Sequence, residues 1–238
     1  EETSYNQWSP KLALEYSPDE VMTYYVSYGH SFNPPTLYML YRTDSYYDGN
    51  PDLKPEISDT YEVGFKARFD PKNDLKMSLF KADTKDLITS QRIEGSSKRH
   101  YVNKEKAKRT GMELDYNHRF NDRYTGYVNY QWEMAYDQDD EWIYDIPKHI
   151  LHTGLRYDLN KWSANLDGEY VSSRNAPGEV DNVYLSSDPY FILNAGVGYK
   201  FNKKCSATFT VNNLLGRDYY LWYKAPGRTY TVGVQFEF

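Results

Sequence analysis

The chain ends on a strict alternation of large apolar residues with small or polar ones. The apolar positions are Tyr230, Val232, Val234, Phe236 and Phe238. A period of two residues is that of a β-strand whose two faces differ. The pattern therefore predicts a strand with one apolar face and one solvated face.

The same alternation recurs along the whole chain. From Tyr61 to Phe69, for example, rings and aliphatic side chains alternate with Glu62, Lys66 and other polar residues. We predict eleven strands, which begin near Lys11, Val21, Ser58, Asp74, Ala107, Arg123, His149, Lys161, Pro189, Cys205 and Arg228. Their predicted lengths of about 9 to 14 residues suit a tilted strand that crosses a bilayer. Their polar faces are too polar to form a protein core.

The connections between these strands alternate in length. Short turns fall around 17–20, 70–73, 121–122, 160–161 and 202–204, and long connections at about 32–57, 91–106, 137–148, 174–188 and 214–227. Outer-membrane barrels have short periplasmic turns and longer extracellular loops, whereas a soluble sandwich has no such asymmetry. An odd number of strands cannot close in the even, antiparallel manner of bacterial barrels, so the pattern predicts part of a larger barrel.

Composition excludes one class of membrane protein and is compatible with the barrel. Mean hydropathy is -0.84, the net charge is -6, and no apolar run reaches the length of a membrane helix. These values fit either a soluble all-β domain or a transmembrane barrel, whose alternating strands average to a low hydropathy. The 26 tyrosines and 5 tryptophans favour the barrel, because amphipathic rings collect at membrane interfaces.

Five separated stretches carry more specific patterns: YGHSFNPPTLYMLY (28–41), GNPDLKPEISDTYEVGFKARF (49–69), YVNKEKAKRTGMELDY (101–116), VNNLLGRDYY (211–220) and PGRTY (226–230). They resemble motifs of the TonB-dependent outer-membrane receptors, in the carboxy-terminal half of their barrel. The second is the most specific, with matches at Asn50, Pro51, Leu53, Lys54, Pro55 and Glu56. Asn103, Gly111 and Glu113 match in the third.

This resemblance implies a fold, a location and an activity. The fold is an all-β, antiparallel transmembrane β-barrel in the bacterial outer membrane, with residues 1–238 supplying about 11 of 22 strands. The plug domain and the first barrel strands are absent from this sequence. The implied activity is uptake of a scarce metal chelate, a ferric siderophore, energised by the TonB complex through an amino-terminal region. A haem or cobalamin receptor of the same family and a passive porin-like barrel are the alternatives.

Two sets of residues are candidates for ligand contact. Aromatic rings beside a cation suit a planar chelator, and the longest predicted loop carries Tyr38, Tyr41, Arg42, Tyr46 and Tyr47. A predicted basic loop at 91–109 includes Arg92, Lys98 and Arg99 and suits an anionic chelate or lipopolysaccharide phosphates. The alternatives are a loop that packs on itself and a solvated basic loop.

Other candidate sites are weaker. Haem receptors of the family commonly place a His between the first two motifs, and 33–49 contains none; His30 is adjacent, but packing among neighbouring rings is the favoured role. The acidic run at 137–145 lacks the spacing of a calcium loop and is interpreted as solvated. We expect no enzyme activity, cofactor, metal site or nucleic-acid partner, because no catalytic motif or Cys/His cluster is present.

The last strand has a second predicted role. The terminal Phe238 resembles the signal that the barrel assembly machinery recognises, with Tyr230 and Phe236 on the same face. The alternative is that Phe238 only ends a strand. The expected partners are therefore the TonB complex, a ferric chelate, outer-membrane lipid with lipopolysaccharide, and the assembly machinery.

Overall fold

A computed structural model describes residues 4–143, 146–174, 188–221 and 224–237. The strands are β1 (Lys11–Tyr16), β2 (Met22–Asn33), β3 (Tyr47–Asp48), β4 (Glu56–Asp70), β5 (Asn73–Arg92), β6 (Arg99–Arg119), β7 (Tyr124–Asp137), β8 (His149–Leu159), β9 (Trp162–Val171), β10 (Tyr190–Asn202), β11 (Cys205–Asn212) and β12 (Thr229–Phe236). One short helix, α1 (Leu37–Tyr41), follows β2. No helix among the described residues is long and apolar enough to cross a membrane.

The long strands form one continuous antiparallel sheet in sequence order. Its order is β1-β2-β4-β5-β6-β7-β8-β9-β10-β11-β12, and the two-residue β3 pairs with β6 in parallel. Each long strand therefore pairs with its neighbour in the chain, as in an up-and-down barrel wall. This confirms the predicted fold class and the eleven predicted strands.

One predicted loop is wrong. The segment 91–106 was expected to be a long connection, but β5 continues to Arg92 and β6 begins at Arg99, so that only 93–98 connect them. β5 has 20 residues and β6 has 21, more than the predicted length. A hairpin that rises above the bilayer needs no apolar face, and its sequence therefore loses the alternation although its hydrogen-bond ladder continues.

The sheet has one apolar face, which we call the outer face. In the register, Val26 pairs with Val63, Val63 with Leu79, and Leu79 with Met112. The apolar side chains of β12 are strongly exposed, and Val232, for example, is 73% exposed. A contiguous exposed apolar face of this kind is what a lipid-facing barrel wall requires.

The opposite, inner face is polar and internally hydrogen-bonded. The Tyr25 hydroxyl donates to Glu62 Oε1 over 2.6 Å, and the Tyr127 hydroxyl donates to Asp167 Oδ1 over 2.7 Å. Gly111 lies beneath the ring of Phe80, where a Cβ atom would approach the ring to 2.5 Å. These contacts hold the polar side chains against the wall.

The two ends of the sheet differ, as predicted. The connections at one end are 17–21, 71–72, 120–123, 160–161 and 203–204, and those at the other end are 34–55, 93–98, 138–148, 172–189 and 213–228. The first set is the periplasmic one and the second is the outward one, since barrels place their shorter turns in the periplasm.

Candidate functional site

The longest outward connection, 34–55, folds back onto the wall instead of projecting from it. Thr36 caps α1 by accepting a hydrogen bond from the Met39 amide, and Leu40 is buried to 2% exposure. Gly49 packs directly beneath this helix, since a Cβ atom there would lie 2.6 Å from the Leu40 carbonyl oxygen. The close approach fixes the return of the chain toward β6.

Two asparagines fasten this connection to β6. Asn50 Nδ2 donates to the Tyr101 carbonyl over 2.8 Å. Asn103 Oδ1 accepts from the Lys54 amide over 2.9 Å, and Asn103 Nδ2 donates to the carbonyls of Lys54 and Asp86 over 2.9 and 2.7 Å. Asn50, Lys54 and Asn103 all lie in stretches that resemble the receptor motifs, so these positions have a structural role.

The short strand β3 is positioned by Asp44. Its Oδ1 accepts from the amides of Tyr46 and Tyr47, both over 2.8 Å, and its other oxygen pairs with Arg42. These two backbone amides, assisted by the Arg42 guanidinium, lower the pKa of the Asp44 carboxyl. Tyr47 pairs with Arg99 of β6. This part of β6 extends beyond the point where its pairing with β7 ends, so its edge is available to β3.

Three rings and one cation meet at this point, and we call them the aromatic cluster: Tyr38, Arg42, Tyr47 and Tyr101. The rings of Tyr47 and Tyr101 stack with centroids 5.5 Å apart and an interplanar angle of 15°. The ring centroid of Tyr38 lies 6.4 Å from that of Tyr47 and 6.3 Å from that of Tyr101. The Arg42 guanidinium carbon is 4.4 Å from the ring centre of Tyr38 and 4.9 Å from that of Tyr47.

The surroundings of Tyr101 in the aromatic cluster favour its neutral phenol. Burial, together with the neighbouring Tyr47, raises the pKa of Tyr101 against the opposing effect of Arg42 and Arg99. Rings next to guanidinium groups offer flat apolar surface and positive charge side by side, with part of the Arg42 charge balanced by Asp44 and Arg99 adding a second cation. The cluster can therefore bind a planar, anionic group.

The structure brings together only some of the predicted ligand residues. Tyr38, Arg42 and Tyr47 belong to the aromatic cluster, whereas Tyr46 is 71% exposed and outside it, and Tyr41 is 41% exposed. These positions are consistent with ligand contact and equally with a loop that packs on itself, so the predicted contact stays a prediction.

The predicted basic loop at 91–109 is not a single loop, because most of its residues belong to β5 and β6. Arg99 lies beside the aromatic cluster and donates from Nε to Ser90 Oγ over 3.1 Å and from Nη2 to the Ser90 carbonyl over 2.8 Å. Arg92 is exposed at the end of β5, and Lys98 lies in the turn. Of these three cations, only Arg99 adjoins the rings.

Sequence reasoning missed Tyr101. It lay in a segment interpreted as a loop, because the surrounding lysines hid the alternation. Its parity on β6 is that of Asn103 and Gly111, which is a signal that could have placed it on the inner face with them.

The predictions for His30 and the acidic run can be compared with their surroundings. His30 shares the outer parity of Tyr28 on β2, and its Nδ1 lies 2.8 Å from Asp59 Oδ1. It therefore faces away from the aromatic cluster. In the acidic run, Asp137 Oδ1 accepts from the amides of Asp139 and Glu141, while Asp145 lies outside the described residues. Within the described ranges, no group of three or more metal-ligating side chains is present.

The predicted assembly residues lie on β12 as far as the chain is described. Tyr230 and Phe236 are 62% and 64% exposed on the outer face. Phe238 lies outside the described residues. Its role as an assembly signal stays a prediction.

Comparison with known proteins identifies relatives over the whole sheet. Residues 1–214 match the family model described as TonB dependent receptor-like, beta-barrel. The vitamin B12 transporter BtuB of Vibrio vulnificus (strain YJ016) is 24% identical over 95% of this chain and 35% of its own length. The hemin receptor of Yersinia pestis is 24% identical over 90% of this chain and 35% of its own length. The ferric-pyoverdine BN7/BN8 receptor of Pseudomonas putida is 25% identical over 92% of this chain and 27% of its own length.

A solved structure agrees with these relatives. A mutant of the ferric enterobactin receptor from Pseudomonas aeruginosa superposes with a TM-score of 0.82 at 18% identity, over 98% of this chain and 40% of that one. At this identity the likeness shows the fold. The chain spans about a third of the length of the curated relatives that it matches.

Proposed function

Because the chain belongs to the TonB-dependent receptor β-barrel family, we propose that it forms part of the barrel of an outer-membrane receptor that imports a ferric siderophore. The family consists of transport receptors, and we infer no enzymatic step. Residues 1–238 supply the carboxy-terminal part of this barrel, and the plug domain and first strands belong to other parts of the protein.

The aromatic cluster is the observation that carries the proposal. It lies at the outward end of the wall, where an arriving ligand makes its first contacts. A ferric catecholate presents flat rings and a net negative charge, which match the tyrosine rings and the nearby Arg42 and Arg99. Because Asn103 fixes the connection to β6, the rings are held in place before the ligand arrives, and this lowers the entropic cost of binding.

Transport requires parts that this sequence does not contain. We propose that the TonB complex supplies energy through an amino-terminal region, consistent with the partial coverage of the relatives. The outer face contacts outer-membrane lipid and lipopolysaccharide. The segment that the barrel assembly machinery recognises consists of β12 and the following Phe238.

A different cargo of the same family is the second candidate. The vitamin B12 transporter and the hemin receptor are each 24% identical to this chain, close to the 25% of the ferric-pyoverdine receptor. Cobalamin and haem are therefore the other candidate cargoes. His30 lies on the outer, lipid-facing side of the wall and contacts Asp59, and both features argue against its use as a haem ligand. A passive porin-like barrel is the remaining alternative, and it would show no saturable binding.

The test uses the longest native chain that carries this sequence, folded in detergent. Intrinsic tryptophan fluorescence is followed during titration with ferric catecholate, ferric hydroxamate, haem and cobalamin. We expect saturable sub-micromolar quenching by one class of ferric siderophore. Quenching by haem or cobalamin alone would replace the cargo, and no saturable response from a demonstrably folded barrel would refute the proposal.

A further inference from the structure

A cavity of about 330 Å³ lies at the outward ends of β8 and β9, beside the connection 138–148. We call it the rim cavity, and its lining is Trp142, Lys148, His149, Ser172, Ser173 and Arg174. It shares no residue with the aromatic cluster. Its volume is at the lower end of the range for small-molecule sites, so it suits one small organic group rather than a whole ferric chelate.

Trp142 forms one wall of the rim cavity and is held in place by its own connection. Its Nε1 donates to the Ile146 carbonyl over 3.1 Å, and its ring meets the Tyr136 ring edge-on, with centroids 5.5 Å apart. Lys148 Nζ lies 4.0 Å from the centre of the Trp142 ring. An aromatic face attracts a cation without neutralising its charge. Lys148 is therefore held at the cavity as a charged group.

Arg174 brings a second cation from a different connection. Its Nη2 donates to the Tyr220 carbonyl over 3.4 Å, so the rim cavity also adjoins the last outward connection. Ser172 fixes the base of the cavity, since its Oγ accepts from the His149 amide over 3.0 Å and donates to the Ser173 carbonyl over 3.3 Å. The rim cavity therefore lies where three outward connections meet.

The charge that lines the rim cavity is positive. Among the residues that the structure describes, Lys148 and Arg174 line it and no aspartate or glutamate does. In the neighbouring acidic run, Asp137 Oδ1 accepts from the amides of Asp139 and Glu141, which directs this oxygen to its own turn. Two cations match an oxyanion, and a planar guanidinium pairs well with a carboxylate. The flat Trp142 ring favours a planar carboxylate over a tetrahedral anion.

We propose that the rim cavity binds the carboxylate group of a small organic acid. Lys148 and Arg174 bind the carboxylate oxygens, and Trp142 borders the carbon skeleton. The acid is either a free molecule or one arm of the cargo, and the two sources share this chemistry. The residues of the cavity belong to this chain, so a negative cargo titration would leave the inference intact.

The test measures binding by saturation-transfer NMR at constant ionic strength, on the longest native chain that carries this sequence, folded in detergent. The probes are succinate, its uncharged diamide and inorganic phosphate. Lys148→Met removes the charge and keeps a side chain that packs on Trp142, whereas Lys148→Arg keeps the charge. The matched control is Lys203→Met, in an exposed periplasmic turn. Heat-modifiable electrophoretic mobility verifies that each variant is folded.

We expect Lys148→Met to weaken succinate binding by at least about fivefold, since hydrogen bonds to charged groups are the stronger ones. Lys148→Arg and Lys203→Met should bind within about twofold of the unmodified protein, and the diamide should not bind. The proposal would be overturned by equal losses in Lys148→Met and Lys203→Met, by equal binding of the diamide, or by a folded protein that does not bind succinate. Phosphate that binds as tightly as succinate would overturn the assignment to a carboxylate.

A second titration identifies the source of the carboxylate. The affinity for succinate is measured again while the siderophore that quenches tryptophan fluorescence is present at saturation. An unchanged affinity supports a free acid as the ligand. Competition supports a carboxylate arm of the cargo.

Discussion

Replacing Asn103 by alanine should release the longest outward connection from the wall. The Asn103 side chain makes three hydrogen bonds, to the amide and carbonyl of Lys54 and to the carbonyl of Asp86. At about 1 kcal/mol of net stabilisation each, their loss lowers the free energy of local opening by up to about 3 kcal/mol. That is an increase of about 150-fold in the opening equilibrium.

The assay is hydrogen–deuterium exchange of the Lys54 amide in the folded, detergent-solubilised protein. Exchange from an opened state follows the opening equilibrium, so protection should fall by one to two orders of magnitude, while the hairpin amides of β5 and β6 keep theirs. Asn202→Ala is the matched control, since it removes a single bond to the Lys204 amide in a periplasmic turn. Unchanged protection at Lys54 in Asn103→Ala, with a folded barrel, would refute the role of this clamp.

Three further predictions concern the inner face, the acidity of the loop and the orientation of the wall. Gly111→Ala places a Cβ atom 2.5 Å from the Phe80 ring and 2.6 Å from the Trp132 carbonyl oxygen. This clash should lower the free energy of unfolding of the barrel, measured in urea, by about 1–3 kcal/mol. An unchanged free energy of unfolding would mean that the Phe80 ring does not pack on Gly111. The pKa of Asp44 is lowered in the folded protein, so its contribution to stability is complete above the ordinary carboxyl pKa of about 3.9 and is lost as the pH falls through the lower folded value. The amide resonances of Tyr46 and Tyr47 should therefore stay constant from neutral pH to about pH 4 and shift together below it. Independent or absent shifts would mean that the Asp44 hydrogen bonds do not form. Val232→Lys should destabilise the barrel in lipid by about 2–4 kcal/mol and Thr231→Lys by much less, since only the first faces lipid; equal effects would contradict the assignment of the two faces.

The fold was predictable from the sequence wherever the membrane imposes its pattern. Within the bilayer each strand needs one apolar and one polar face, and alternation therefore placed strands such as β8 and β11 at their observed starts, His149 and Cys205. Above the bilayer this requirement ends. The lysines of β6 then gave no alternation, so the start of the strand was predicted near Ala107 instead of Arg99.

The candidate site was only partly predictable for a related reason. Tyr38, Arg42 and Tyr47 lie close together in the chain, and their composition alone suggested an aromatic site with a cation. Tyr101 joins them through the parallel pairing of β3 with β6, a contact between distant segments that carries no local signal. Asn50 and Asn103 resembled receptor motifs in the sequence, but only the register showed that they fasten the loop.

The measurement that tests the central claim most directly compares two tyrosines of the same loop. Tyr101→Leu removes the ring that stacks on Tyr47, and Tyr46→Leu removes an exposed ring outside the aromatic cluster. The dissociation constant of the siderophore that quenches tryptophan fluorescence is determined for both variants. If the cluster binds cargo, Tyr101→Leu should weaken binding by about five- to tenfold, corresponding to about 1 kcal/mol of aromatic interaction, while Tyr46→Leu should bind as the unmodified protein does. Equal affinity in the two variants would contradict the assignment of the aromatic cluster as the ligand site.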